Sequence, residues 1–333
     1  MVLHVLDALA ELDVERVVVV VGHRGEWVTK TLVEQASPLL QIVFVEQAAQ
    51  RGTGDAAAVA LTGLPDDDED GDVVVLPGDA PLLRPQTLAA LVRHHRASGA
   101  GATLLTAELD EPGGYGRIVR GSDGLVARVV EEDDADEDER SITEICTSIY
   151  CFRRTLLPAS LRRLSPANAQ GEYYLTDVVA VVAGAGYPVH SLTAADAMET
   201  AGVNDRAQLA VAEAELRDRI NERWMRRGVT MWDPERTYVD ASVELAPEVV
   251  LLPGVVLRGD SVIDEGAEIG PDCTIVDSKV GEGAEVRYSM CDRAEIGAGA
   301  RVGPFASLGP GSIVRAGDVV PSFAVLPTES TAD

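Results

Sequence analysis

The sequence predicts an α/β doubly wound (Rossmann-like) domain followed by a left-handed parallel β-helix, on three observations. Runs of Val, Ile and Leu alternate with helical patterns from the start to about residue 200. A long amphipathic stretch, "DRAQLAVAEAELRDRINERWMRR", follows at 205–227. From Val239 onward an aliphatic residue then recurs every six positions. A chain of 333 residues is long enough for two domains with separate cores.

The first stretch, "MVLHVLDALAELD", places Val2, Val5, Leu6, Leu9 and Leu12 on one helical face. It has neither a basic n-region nor a small-residue cleavage site, so it does not read as a signal peptide. "RVVVVVGH" then reads as a buried strand and "EWVTKTLVEQA" as a helix. Next come "LQIVFVEQ" (strand), "GDAAAVALTGL" (helix), "DVVVLPGD" (strand), "PQTLAALVRHHRASG" (helix) and "GATLLTAEL" (strand). Continuous aliphatic strands alternating with helices predict a mostly parallel sheet covered on both faces. Ligands of such sheets bind at the carboxyl ends of the strands, where "VEQAAQRGTG" and "VLPGDAPL" fall.

The six-residue period runs through Val239, Leu245, Leu251, Leu257, Ile263, Ile269 and Ile275, slips by five to Val280, and continues at Val286. It resumes at Met290, Ile296, Val302, Leu308, Val314 and Val320. Neither helix nor ordinary strand has that period. It is the hexapeptide repeat of a β-helix, with the aliphatic residue pointing inward and three hexads per triangular coil, here about four to five coils. The expected boundaries are 1–203 for the α/β domain, 204–232 for a linker helix, 233–322 for the β-helix and 323–333 for a polar tail.

Composition excludes several function classes. The formal net charge of −27 argues against nucleic acid and anionic membrane as partners. The longest apolar runs, such as Val17–Val21, are too short to span a bilayer, and the expected location is the cytoplasm. Two acidic runs, 66–72 and 131–139, read as solvated loops. Cys146, Cys151, Cys273 and Cys291 have no CxxC or Cys/His spacing for zinc and read as reduced and structural, with Cys146 set apart below.

By itself, the Gly-Thr-Gly of "VEQAAQRGTGDA" is what any strand-to-helix loop could use, and Asp79 alone is what any turn could use. The wider set of motifs changes that. "EQAAQRGTGDA", "LPGDAPLL", "GYGRIVR", "VVEEDDA", "NAQGEYYLTDVV", "GVNDRAQLA" and "RVGPFASLGPGS" occur in an order and spacing that resemble the GlmU family. These are bifunctional N-acetylglucosamine-1-phosphate uridyltransferases and glucosamine-1-phosphate acetyltransferases. The resemblance runs from Met1 to about Ser312.

The resemblance implies uridylyl transfer from UTP to N-acetylglucosamine 1-phosphate, giving UDP-N-acetylglucosamine and pyrophosphate for cell-wall precursor synthesis. It implies that Gln47 bonds the uracil edge, with Gly52 and Thr53 allowing close approach. Gly78 and Asp79 would lie at the nucleotide, and Asp79 and Asn204 would act in catalysis through a Mg²⁺ ion they hold. Gly116 would pack on the sugar and Glu131 would accept from its hydroxyls. Glu172, Tyr174 and Thr176 would line the N-acetyl sugar pocket. A homotrimer built on the β-helix is also implied.

The sequence departs from the family in four places. The Gly-rich Thr-Arg-Met loop and Pro-Lys pair that cradle the triphosphate are not among these residues, which implies weak turnover or none, and Lys30 lies in a solvent-facing helix. Cys146 and Ser148 stand where the family has Asn and Gly, so the sugar or ribose contact could differ. Asp133 replaces a Lys found in many members. Ser307 and Gly309 stand where the family presents arginines, and none of His4, His23, His94, His95 and His190 lies in the β-helix. No acetyltransferase activity is expected. The rival readings are a non-catalytic sugar-nucleotide-binding or trimer-forming protein, and a nucleotidyltransferase for another hexose 1-phosphate or for dTTP.

Overall fold

The computed structural model describes residues 1–65 and 71–326 and divides into two compact units, 1–209 and 210–333. The acidic run at 66–72 and the expected tail therefore lie largely outside the described residues. Among those described, no helix is long and apolar enough to cross a membrane.

The first unit begins with α1 (Val2–Ala10), β1 (Val17–Val21), α2 (Gly25–Gln35), β2 (Ile42–Glu46), α3 (Thr53–Ala60) and β3 (Asp72–Val75). It continues through α4 (Pro85–Ser98), β4 (Ala102–Glu108), β5 (Gly116–Arg120), β6 (Val126–Val130), α5 (Glu137–Arg140) and β7 (Glu144–Arg153). The last elements are α6 (Leu157–Leu161), α7 (Asp177–Gly184) and β8 (Val189–Thr193). α4 shows how the sequence sets an element. Pro85 takes a first-turn position where its missing N–H costs nothing, and Gly99 closes the helix at φ +62°. Leu88, Leu91 and His95, three and then four residues apart, form its buried stripe.

The α/β class agrees with the sequence, but the pairing is not mostly parallel. β1 and β2 form a parallel pair. The larger sheet runs β6-β5-β7-β4-β8 with β3 against β7, and of its pairs only β4–β8 is parallel. The cause is a hairpin after β4: "GRIVR" and "VARVV" fold back on each other as β5 and β6. The long β7 then lies antiparallel to β3, β4 and β5. β7 is buried at eight of its ten positions, with Ser148 exposed and Arg153 half-buried, so it forms the spine of the core with Ile149, Tyr150 and Phe152 at 0–1% exposure. Full burial of such a side chain stabilises by roughly 1.5–3 kcal/mol.

The second unit contains most of a long helix, Arg206–Arg226, and the β-helix. Its three faces are parallel ladders of six, five and six short strands among the described residues. Tyr238 pairs with Val256 and Val256 with Thr274, the 18-residue step that three hexads require. Val239, Leu257 and Ile275 consequently stack in one interior column. The helix contributes Ile220 and Trp224 to the same core. The ladder continues to Val325–Leu326, beyond the boundary expected at 322.

One inward position differs from the six-residue count. Met290 is 63% exposed, and Cys291, at 1%, takes the interior place opposite Ile275 and Leu308. Two shortened coils shift the phase by one residue here, which a fixed period cannot follow. All four cysteines are buried and free.

Candidate functional site

The loop after β2 is stitched to a distant segment. The Tyr173 N–H donates to the Arg51 carbonyl at 2.8 Å, and the Gly54 N–H to the Tyr173 carbonyl at 2.7 Å. Thr53 Oγ1 accepts from the Leu175 N–H at 3.0 Å. Asn168 closes the far segment by donating to the Glu172 carbonyl and accepting from the Glu172 N–H. The turn needs glycine at 52: its φ is +105°, and a Cβ there would lie 2.6 Å from the Tyr173 carbonyl oxygen.

Gln47 is half-buried beside this turn, with its Nε2 2.8 Å from Asp55 Oδ2 and 3.3 Å from the Gly52 carbonyl. Both amide hydrogens are thereby used, and Oε1 is left as an acceptor. Asp55 is a residue the sequence reading missed. In α3's first turn it looks like an ordinary helix-dipole residue, and its reach to Gln47 depends on the turn between them.

A second group lies at the ends of β5, β6 and β7. Thr176 Oγ1 donates to Glu131 Oε1 at 2.7 Å. A Cβ on Gly116 would come within 3.2 Å of Glu131 Oε2, so the missing side chain keeps that carboxylate face open. Burial, opposed by the Thr176 bond, raises the Glu131 carboxyl above its ordinary value. Tyr174 is buried, and among the described residues its hydroxyl has no hydrogen-bond partner. Cys146 pairs with Gly116 across the ladder and is enclosed, its Sγ 3.2 Å from the Tyr150 hydroxyl. Burial pushes that thiol up to about 11, so it remains a protonated, weakly donating group.

The acidic run at 131–139 is more ordered than a solvated loop. Asp136 and Glu139 form a capping box on α5, and Glu132 holds the buried Arg117 at 2.7 Å. Asp134 and Asp133 accept from Ala169 and Gln170, which ties the run to the 168–176 segment. Arg117 is a second residue the sequence reading passed over. It is 2% exposed, its Nε has no hydrogen-bond partner among the described residues, and only the fold shows that it anchors the loop carrying Glu131.

Asp79 and Asn204 form a third group. The Val203 N–H donates to the Asp79 carbonyl at 3.0 Å, which brings Asn204 beside the loop after β3. The two side chains are not hydrogen-bonded to each other, and among the described residues the Asp79 carboxylate has no ion-pair partner. A carboxylate and an amide oxygen are the hard donors that Mg²⁺ accepts, and it needs few protein groups. Lys30 is 74% exposed and paired with Glu34, as its helical context suggested. Glu172 is half-buried and joins the site through its backbone.

The charge state of Glu131 gives a testable consequence. Its folded pKa lies above the ordinary carboxylate value near 4.5. The unfolded chain thus ionises first, and stability falls as pH rises from about 4.5 through the raised folded value. Glu131→Gln keeps the oxygen that accepts from Thr176 and removes the half-buried charge. In urea titrations the first unit of the variant is expected to lose less stability than wild type across that window. Parallel curves would mean that Glu131 is solvated when ionised.

Comparisons with known proteins follow the same outline. Bifunctional protein GlmU of Nocardia farcinica is 46% identical over 305 residues, which is 91% of this chain and 61% of that protein. The GlmU proteins of Heliobacterium modesticaldum and Corynebacterium efficiens are each 43% identical, over 297 and 300 residues. They match 89% and 90% of the chain, and 63% and 61% of their own lengths. The chain thus spans a little over three-fifths of these relatives, and the resemblance read from its motifs is borne out. The family model for nucleotidyl transferases matches residues 1–228, which include all three groups described above, and the chain belongs to that nucleotidyl transferase family.

Proposed function

We propose that the first unit binds a uridine nucleotide and N-acetylglucosamine 1-phosphate and serves uridylyl transfer between them, with UDP-N-acetylglucosamine and pyrophosphate as products. The supporting observation is the state of Gln47. With both Nε2 hydrogens held by Asp55 and Gly52, it offers an incoming base only the Oε1 acceptor. A uracil or thymine ring presents an N3–H to such an acceptor, whereas cytosine presents a lone pair. A mismatch leaves a polar group unpaired, the strong form of discrimination. Gly52 lets the ring approach the backbone, and Thr53 holds the turn.

The sugar falls to the second group. Glu131 accepts from its hydroxyls, Gly116 leaves room for the ring, and Tyr174 and Thr176 line the N-acetyl end. Cys146 lies behind Gly116 and against Tyr150, so its effect on sugar choice is indirect. Asp79 and Asn204 would hold Mg²⁺ next to Gly78, and the ion supplies neutralisation of charge on the phosphates. The phosphate oxygen of the sugar phosphate attacks the α-phosphorus of UTP, and the bond to pyrophosphate breaks. No protein nucleophile is needed, so positioning carries the step. Acetyl transfer is not assigned to these residues. The reading places the protein in the cytoplasm with its nucleotide, and the β-helix supports a homotrimer.

The test measures pyrophosphate release from UTP, N-acetylglucosamine 1-phosphate and Mg²⁺, beside binding of UDP-N-acetylglucosamine. Asp79→Ala is expected to lower release by about 100-fold or more, the usual effect of losing one charge-stabilising group, with sugar-nucleotide binding largely retained. Gln47→Leu is expected to weaken binding itself. Binding without release would select the non-catalytic sugar-nucleotide protein. Release that both variants leave unchanged would refute the site.

A further inference from the structure

Three residues with no sequence relation meet beneath α4. Asp72 opens β3, His95 lies in the last turn of α4, and Cys151 lies in β7. The side-chain alternation of strands explains the meeting. Val74 and Thr103 both pair with Cys151, so Asp72, Val74, Cys151 and Thr103 project to the same face of the sheet. His95 continues the Leu88–Leu91 stripe down onto that face. One donor atom from each of Asp72, His95 and Cys151 lies within 4.8 Å of the other two.

The polar contacts around the group are specific. His95 Nδ1 is 2.9 Å from Thr103 Oγ1, which fixes the ring and aims Nε2 at the other two residues. Nε2 is 3.3 Å from Asp72 Oδ1. The second carboxylate oxygen, Oδ2, accepts from Arg96 Nε at 2.7 Å, which leaves Oδ1 as a single inward donor. His95 is 2% exposed and Cys151 fully buried, whereas the Asp72 side chain at 15% forms an opening to solvent. Among the described residues the Cys151 thiol has no hydrogen-bond partner.

We infer that Asp72, His95 and Cys151 form a binding site for a divalent transition metal, of which Zn²⁺ is the best chemical match. Thiolate, imidazole and carboxylate are its customary ligands, at about 2.0–2.3 Å. Around a tetrahedral ion those bonds put donor atoms roughly 3.3–3.8 Å apart; the His95 Nε2–Asp72 Oδ1 distance of 3.3 Å already lies in that range, and all three donors lie within 4.8 Å of one another. The fourth position would face the Asp72 opening and take water. Thr103 is the outer-shell partner that such a histidine requires.

The site differs from the Asp79–Asn204 pair in both place and chemistry. Asp72 is at the amino end of β3, and Asp79 lies beyond its carboxyl end. Sulfur and imidazole are poor ligands for Mg²⁺ and good ones for zinc. Burial depresses the His95 imidazole, keeping its ligating neutral form, and pushes the Cys151 thiol up to about 12. On binding, the thiol proton passes to solvent as the metal–sulfur bond forms. The bound ion would join β3, α4 and β7 and thereby stiffen the first unit.

Cobalt(II) substitution tests the inference on the full chain. The expected result is one bound Co²⁺ per chain, with a thiolate-to-cobalt charge-transfer band and the intense visible bands of a tetrahedral ion. Cys151→Ala is expected to abolish the charge-transfer band, and Cys273→Ser to leave it intact. Asp72→Asn, at the rim, is expected to retain the band and weaken Co²⁺ binding by at least about 10-fold, since even outer-shell changes cost roughly 10–100-fold. Circular dichroism of each variant separates loss of the metal from loss of the fold. Absence of the band in the wild-type chain, or its survival in folded Cys151→Ala, would overturn the site in favour of a plain Asp72–His95 pair.

Discussion

Cys291→Asp is expected to unfold the β-helix, whereas Met290→Asp, one residue earlier, is expected to leave it folded. Cys291 is 1% exposed and stacks between Ile275 and Leu308 in the interior column. An aspartate there would be an ion with no partner among aliphatic side chains. The effective penalty for such an ion is several kcal/mol, to which the lost packing adds. A total of at least about 4 kcal/mol is comparable with the whole stability of a small domain, about 5–15 kcal/mol. Met290 is 63% exposed, and surface changes usually stay within about 0.5 kcal/mol. Limited proteolysis followed by mass spectrometry would read the two cases. Digestion of 230–326 in Cys291→Asp but not in Met290→Asp is the expected pattern. The reverse pattern would mean that the six-residue count through Met290 is right and the phase shift wrong.

The second large effect concerns Gly52. Alanine there combines a left-handed φ of +105° with a Cβ 2.6 Å from the Tyr173 carbonyl oxygen and 2.9 Å from the Glu172 Cβ. The backbone cannot retreat without breaking the bonds between Tyr173 and both Arg51 and Gly54. Strained backbone of this kind costs roughly 1–3 kcal/mol, and the overlap adds to it. Gly124→Ala is the control. It also has a positive φ, of +80°, but a Cβ there meets nothing within 4 Å among the described residues. Gly52→Ala is therefore expected to cost at least about twice as much stability as Gly124→Ala in urea titrations. It is also expected to abolish measurable binding of UDP-N-acetylglucosamine, because Gln47 loses the carbonyl that orients its amide. Equal costs for the two variants, with binding intact, would show that the loop is not held by the 172–175 segment.

Both predictions depend on contacts between segments far apart in sequence, and this marks what could be read from the chain alone. The hexad period needs only residues six apart, each projecting to the same interior, so the inward places of Val239 through Ile275 are legible in the sequence. The α/β alternation was legible for the same reason, since strand and helix periods are local. The motifs around Gln47, Asp79, Gly116, Glu131 and Asn204 were legible because each is contiguous.

What the sequence could not supply is phase, partner and charge state. The antiparallel course of β7 follows from the β5–β6 hairpin, and no local period records which strand a neighbour pairs with. Cys291 replaces Met290 inside because two short coils alter the stacking, which only cross-coil pairing reveals. The acidic run from Glu131 looked like solvated charge until Arg117, Thr176 and the 168–170 turn were brought against it. Cys151 carried no metal spacing at all; Asp72 and His95 reach it only because one sheet face and one helix stripe converge. The sequence by itself determined which elements form and which residues each one presents, because those depend on local geometry. Only the tertiary structure decided which of those residues meet, because contact across a sheet or a coil depends on register, and register is a property of the whole fold.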